Sequence, residues 1–200
     1  MSSTNEKKDC IVKAALAEFL EKGLGKASMQ AISDAAQVSK RTLYKYFPNK
    51  ESLFKSLLME LCCNHESECG HYSYDSNIEL APQVKKLVSF DLSVMLKPEY
   101  LQLTRLIMSE LLKSKPISPE VFEKFKEKDE VFLLWIEDAQ ENKKLRKDMK
   151  SVQILELYRG FIKGAIFLPQ LLGYADDLQY LKKENYEQIA IDYFLRNFES

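Results

Sequence analysis

The chain is a succession of apolar positions at helical spacing, interrupted by short polar stretches. Ile11, Ala14, Ala15, Leu16, Phe19 and Leu20 recur at three- and four-residue intervals and stop at Gly23, which predicts a first helix. Ser28 is placed to cap a short second helix with Ile32 and Ala35 turned inward. Ser39 is placed to cap a third, in which Leu43 and Phe47 lie one turn apart. A longer helix starts near Lys50, carries Leu53, Leu57 and Leu61 on one face, and fades around Gly70. The polar and aromatic stretch 70–77 reads as a loop. Helices are expected again near 80–96, 99–113, 151–172 and 183–198. One more runs from Ser118-Pro119-Glu120, a hydroxyl cap followed by a residue with fixed φ and no N–H, to about Asn142. Pro169 is expected to kink or end its helix. No alternating pattern longer than a few residues suggests a strand, so the fold class is all-α, with about nine helices.

Composition agrees and narrows the class. Two hundred residues, 46% apolar, can build a real core, which excludes bulk disorder. Four Cys make no disulfide scaffold. The polar N-terminus predicts no signal peptide, and the apolar stretch from Phe161 is broken by Lys163 and Pro169, so no membrane span is expected. These features describe a soluble, cytoplasmic chain with no membrane partner. Charge adds something that composition hides. Residues 1–55 hold ten Lys/Arg against six Asp/Glu, a surplus of four positive charges. The whole chain is at -1, so the remainder stands at -5. A basic head on an acidic body suits a head that meets a polyanion, and equally suits a solvated basic face.

The chemistry sits in that head. The two short helices between Ser28 and Tyr46 are separated by Ala36-Gln37-Val38, the spacing of a helix-turn-helix. In that motif the second helix enters the DNA major groove. With Leu43 and Phe47 inward, Lys40, Arg41, Tyr44 and Lys45 face outward. Lys40 and Arg41 can donate to guanine N7 and O6, and Tyr44 can touch a thymine methyl or a phosphate. An ordinary helical hairpin with a polar face fits the same spacing.

From Lys8 to Leu57 the chain resembles the DNA-binding head of the TetR/AcrR family of bacterial transcriptional regulators. The residues that carry the resemblance are Ile11, Ala14, Ala15, Phe19, Gly23, Ser28, Ile32, Ala36 and Val38-Ser39. They are followed by the uninterrupted block Thr42-Leu43-Tyr44-Lys45-Tyr46-Phe47-Pro48-Asn49-Lys50-Glu51-Ser52-Leu53. The resemblance implies a three-helix DNA-binding domain over 1–55 and a helical effector-binding and dimerisation domain over 56–200. It implies that Lys40, Arg41 and Tyr44 read bases, that Thr42, Tyr46 and Lys50 hold phosphates, and that Ser28 and Gln30 approach DNA from the preceding helix. Ser39 and Lys45, at the two ends of the reading helix, are counted with them. Two positions depart from the family pattern. Gln37 stands where Gly is usual in the turn, at a cost of about 1–2 kcal/mol if its φ is positive. Ser33 stands at a small buried position usually held by Ala, where its hydroxyl can bond back to a carbonyl.

A single helix-turn-helix reads few bases, so a homodimer on a near-palindromic double-stranded operator is expected. The last two helices supply candidate interface stripes: Leu155, Tyr158, Gly160, Ile162, Gly164 and Phe167 on one, and Tyr186, Ile189, Ala190, Tyr193 and Phe194 on the other. An intramolecular core explains the same stripes, but the resemblance favours pairing. It also implies a pocket for an unidentified small apolar or aromatic effector among the middle helices, with Phe90, Met95, Leu103, Ile107, Phe132, Trp135 and Phe161 as candidate lining. Effector binding would release a repressor from its operator. A cluster outside the family pattern, Cys62, Cys63, His65, Cys69 and His71, offers a metal- or thiol-responsive alternative. On a helix Cys62, His65 and Cys69 would share a face, although their spacing fits no standard zinc module. No cofactor is expected. No nucleophile elbow, phosphate loop or metal-hydrolase motif appears, so an enzyme is not expected.

Overall fold

The computed structural model describes residues 4–63, 73–113, 119–177, 182 and 185–200; for 4, 5, 60–63, 119–128 and 177 it describes the backbone alone. The helices are α1 (Thr4–Lys26), α2 (Met29–Ala35), α3 (Lys40–Tyr46), α4 (Lys50–Cys63), α5 (Leu80–Met95), α6 (Pro98–Leu111), α7 (Pro119–Glu141), α8 (Ser151–Phe161), α9 (Leu168–Leu172) and α10 (Tyr186–Phe198). Among the described residues the only β pairing is a single bridge between Leu145 and Glu199. The chain is thus all-α, with a helix-turn-helix at its N-terminal end. It divides into two compact units, Met1–Cys63 with Gln102–Val121, and Asn64–Leu101 with Phe122–Ser200. The division expected at residue 55 would cut α4, which stays with the head because Leu53, Leu57 and Leu58 are buried and α4 packs on α1.

In the first unit Ile11, Val12, Ala15 and Phe19 of α1 form the core with Ile32, Leu43, Phe47, Leu53 and Leu57. The end of the apolar pattern at Gly23 is a real break: its backbone leaves the helix at φ 72, and a final turn runs on to Lys26. Two expected inward positions differ. Leu20 is 40% exposed at the edge of the α1 stripe. In α2, Ala35 is exposed and Ser33 is buried instead, because the helix is rolled so that Ile32 and Ser33 straddle the inward direction. The Ser33 hydroxyl donates to the Gln30 carbonyl at 2.8 Å, so its burial leaves no polar group unsatisfied.

Two local features fix where α2 starts and how the chain turns from it into α3. The first is Glu18, buried on α1. Its Oε1 accepts from the Ser28 backbone N–H at 3.1 Å, and Lys22 Nζ reaches both carboxylate oxygens at 2.9 and 3.0 Å. The hydrogen bond from Lys22 holds the Glu18 carboxyl below its ordinary value, against burial, which pushes it up. Ser28 then caps α2, its hydroxyl accepting from Gln30 N–H at 3.2 Å. The second feature is Gln37, which sits at φ 55 in the left-handed region. Its own N–H bonds the Asp34 carbonyl at 3.1 Å, and Val38 N–H bonds Ser33 at 3.0 Å, closing the turn.

The second unit is built round an aromatic cluster. Trp135 meets Tyr74, Phe132 and Phe194 edge-to-face at 5.8–6.2 Å, and Tyr158 meets Phe132 and Phe194 at 5.4 and 5.5 Å. Each such pair contributes about 0.5–1.5 kcal/mol beyond its buried area. α10 packs on α5 and α8 around this cluster. The α7–α8 loop is held by Gln140, whose amide donates to the carbonyls of Arg146 and Met149 at 2.7 and 2.8 Å. It is pinned to the C-terminus by Arg146 N–H on the Phe198 carbonyl at 2.9 Å. Pro169 neither ends nor breaks its helix. A π turn, Ile162–Phe167, widens the backbone just before it, and α9 continues to a left-handed stop at Gly173, φ 81. A proline cannot donate to the carbonyl four residues back and its ring crowds that oxygen, so a wider turn relieves both conflicts.

Two measurements check the head. Gln37→Gly should raise its stability in urea by about 0.5–1 kcal/mol, since only the native φ is strained and glycine adopts it freely; a loss would mean the Gln37 side chain matters more than its backbone. Glu18 should set a pH dependence. Its carboxyl lies below 4.5 in the folded chain, so its contribution is complete above that value and is lost as the pH falls through the lower folded-state value. The urea midpoint of the wild-type chain should therefore drop on acidification by more than that of Glu18→Gln; equal drops would remove Glu18 from this role.

Candidate nucleic-acid interface

α3 has one inward side, Leu43, followed by Phe47 just past its end; they are 0% and 5% exposed. That anchoring leaves Lys40, Arg41, Tyr44 and Lys45 exposed along the opposite side, with Tyr44 49% exposed. The helix contains no acidic residue. Among the described residues, none of these four side chains has a hydrogen-bond or ion-pair partner, so their donors point to solvent. Thr42 and Tyr46 are half-buried at the flanks. Ser39 caps the helix: its hydroxyl accepts from Thr42 N–H at 3.1 Å and lies 2.8 Å from Thr42 Oγ1. Both hydroxyls are therefore engaged with each other at the start of the helix.

The flanking candidates are less free. Ser28 is spent on the cap of α2, and the Gln30 amide donates to Asp34 Oδ1 at 2.6 Å. Lys50, at the first position of α4, donates one ammonium proton to the Gly25 carbonyl at 2.8 Å and keeps two for another acceptor. Asn49 and Ser52 cap α4 reciprocally, Ser52 N–H to Asn49 Oδ1 at 2.8 Å and Ser52 Oγ to the Asn49 carbonyl at 2.7 Å. The N–H groups of Lys50 and Glu51 remain directed out of the helix start.

The candidates in the body fall into different environments. Leu155, Tyr158, Ile162, Tyr186, Ala190 and Phe194 are at most 2% exposed and belong to the core of their own chain. A side chain already out of water gains nothing from a partner, so these six support α8 and α10 from within. Gly160 and Gly164 are exposed, and Phe167, Ile189 and Tyr193 are half-buried. Of the candidate pocket residues, Phe132 and Trp135 are core, while Phe90, Met95 and Phe161 pack partly buried against it. Leu103 and Ile107 are buried and belong to the first unit, whereas those five belong to the second. The side chains of Cys62 and Cys63, and His65, Cys69 and His71 entirely, lie outside the described residues.

Four positioning residues escaped the sequence reading. Glu18 gave no periodic signal, because a polar residue inside an apolar stripe reads as solvated. Asn49 and Ser52 carried a capping pattern that could have been found from Asn-x-x-Ser ahead of an apolar run. Asp91, which accepts the Tyr158 hydroxyl proton at 2.8 Å, pairs across 67 positions and has no local signature.

The geometry of the head agrees with what the chain is similar to. Residues 11–57 match the bacterial regulatory proteins of the tetR family, and residues 82–200 match the C-terminal domain of AefR-like transcriptional repressors. A TetR family transcriptional regulator from Pseudomonas syringae pv. tomato is 30% identical and superimposes with a TM-score of 0.74, covering 98% of this chain and 99% of its own. The Flavonoid-responsive Regulator FrrA is 26% identical, with 98% of each chain covered and a TM-score of 0.67. The uncharacterized HTH-type transcriptional regulator YuxN of Bacillus subtilis is 42% identical over 53 residues, a stretch that takes in 26% of this chain and only 18% of YuxN. These relatives are regulators and not enzymes. With both its head and its body matched, the chain belongs to the TetR family of bacterial transcriptional regulators.

Proposed function

We propose that this chain is a cytoplasmic, homodimeric repressor that binds a near-palindromic operator and leaves it on binding a small apolar or aromatic effector. The observation that carries the DNA reading is the outward face of α3: Lys40, Arg41, Tyr44 and Lys45, exposed, uncompensated by acid, on a helix held rigidly by Leu43. Arg41 and Lys40 have the donors that guanine edges accept, while Lys50 and the free N–H groups at the start of α4 suit a phosphate. The repressor sense is supported by the AefR-like description of residues 82–200, and an aromatic effector by the name of the flavonoid-responsive relative.

Pairing is supported by a face of α8, the π turn and α9 that the described residues leave uncovered. Leu157 and Leu168 are 47% and 37% exposed, and Gly160 and Gly164 lie between them. A Cβ at either glycine would meet nothing within 4 Å in its own chain. Glycine within a helix costs about 1 kcal/mol relative to alanine, so nothing in the monomer explains the pair, whereas close approach of a second helix does. Beside this face Phe161 stacks on Tyr193 at 3.9 Å, offering a flat aromatic rim.

Selection from random duplex DNA should enrich an inverted repeat; failure to enrich any sequence from apo protein would sink the operator reading. Lys50→Ala should weaken all duplexes alike and lower the salt slope by about one unit, whereas Arg41→Ala should relax preference at one base pair per half-site. An unchanged selected sequence for Arg41→Ala would end its role as a base reader. Leu157→Glu should sediment as a monomer with unchanged helicity, because the residue supports no core within its own chain; a dimer would move the interface elsewhere.

A further inference from the structure

The last turn of α1 is tied to the first turn of α4 by one long-range contact. Lys50 Nζ donates to the Gly25 carbonyl at 2.8 Å. That carbonyl belongs to the end of α1, where the last four carbonyls have no partner within their own helix. A cation at this end is also favoured by the helix dipole. The contact holds the Lys50 ammonium in one place before any ligand arrives, with two protons unspent.

Lys26 follows Gly25 directly and is exposed. Across a planar peptide a carbonyl oxygen lies about 3 Å from the next α-carbon. The Lys50 ammonium is therefore within about 6 Å of the Lys26 α-carbon, about the reach of one lysine side chain. Among the described residues, the Lys26 ammonium has no hydrogen-bond or ion-pair partner, and that of Lys50 has none besides Gly25. Glu18, which takes the Ser28 N–H just beyond this turn, is already neutralised by Lys22. Two cations thus share one corner of the head, and neither is balanced by an acid. Gly25 puts no side chain between them. Its φ is not in the left-handed region, and a Cβ there would meet nothing within 4 Å. Neither conformation nor packing asks for glycine at a helical position where alanine is the better former, whereas a polymer backbone laid against the turn would use the open space.

We propose that Lys26 holds a backbone phosphate of the bound duplex, next to the phosphate assigned to Lys50. This rests on the DNA-binding reading and adds to it a contact from α1. A compact ammonium with three unspent protons meets a phosphate oxygen by charge-assisted hydrogen bonds. Two neighbouring lysines repel each other in the free protein, and two consecutive phosphates of one strand relieve that repulsion. Such a contact carries no base information; it contributes affinity and fixes the position of the head on the duplex.

The test uses the full chain and a fluorescein-labelled duplex of fixed arbitrary sequence, because phosphate contacts act on any sequence. Lys26→Gln should weaken binding about fivefold and lower the salt slope by about as much as Lys50→Ala does, with the double variant showing the sum. Lys26→Arg should keep wild-type binding, and both variants should keep the thermal unfolding midpoint. Lys85→Gln removes the same charge from an exposed position of α5 and should leave the slope unchanged. On the inverted repeat enriched by selection, a neutral methylphosphonate beside the phosphate that answers to Lys50 should weaken wild type and cost Lys26→Gln nothing further. A slope indifferent to Lys26→Gln, a loss matched by Lys85→Gln, or a methylphosphonate penalty that persists in Lys26→Gln would overturn the proposal. Binding of the arbitrary duplex that depends on Lys26, with no sequence enriched by selection, would uphold this contact and count against the operator reading instead.

Discussion

The head depends on one buried carboxylate. Glu18 lies where α1 breaks at Gly23 and the chain turns toward α2, and it takes the first N–H of that turn, from Ser28. Without an acceptor there, the start of α2 would leave a part-buried donor unsatisfied, at about 1–3 kcal/mol. Lys22 keeps the carboxylate ionised from the solvent side. From this fixed start α2 runs only seven residues, turns through the strained Gln37, and delivers α3 with Leu43 inward. Each step is short, so an error in the first would be carried undiminished to Arg41. The exposed cations of α3 therefore owe their direction to an acid on another helix, and their freedom to the lack of acids on their own.

In the second unit the constraint is of another kind. Trp135, Tyr158, Phe132 and Phe194 meet edge-to-face, and a cluster of this sort tolerates little rotation of α8 about its axis. Fixing that rotation sorts α8 and the π turn after it into stripes. Leu155, Tyr158 and Ile162 go to the core, Leu157, Gly160, Lys163 and Gly164 go outward, and Arg159 falls on the edge between. One stretch of chain thus serves both packing and the proposed pairing, and the π turn changes the register between its first half and its second.

Much of this was legible in the sequence because it is local. Ser28, Ser39, Gly23 and the inward pair Leu43 and Phe47 act over four or five residues, and periodicity exposes them. Gln37 was legible as a departure from a usual glycine, and the structure gives it the positive φ that a glycine there would adopt freely. What periodicity could not do was tell a stripe that faces its own core from one that faces a partner. Leu155, Tyr158 and Phe194 look the same as interface residues until the aromatic cluster is seen to consume them. Nor could it show Glu18 or Asp91, whose partners are distant in the chain or belong to the backbone. The π turn was half visible: Pro169 signalled a conflict, but local physics allows it to be resolved by a kink, an end or a widened turn.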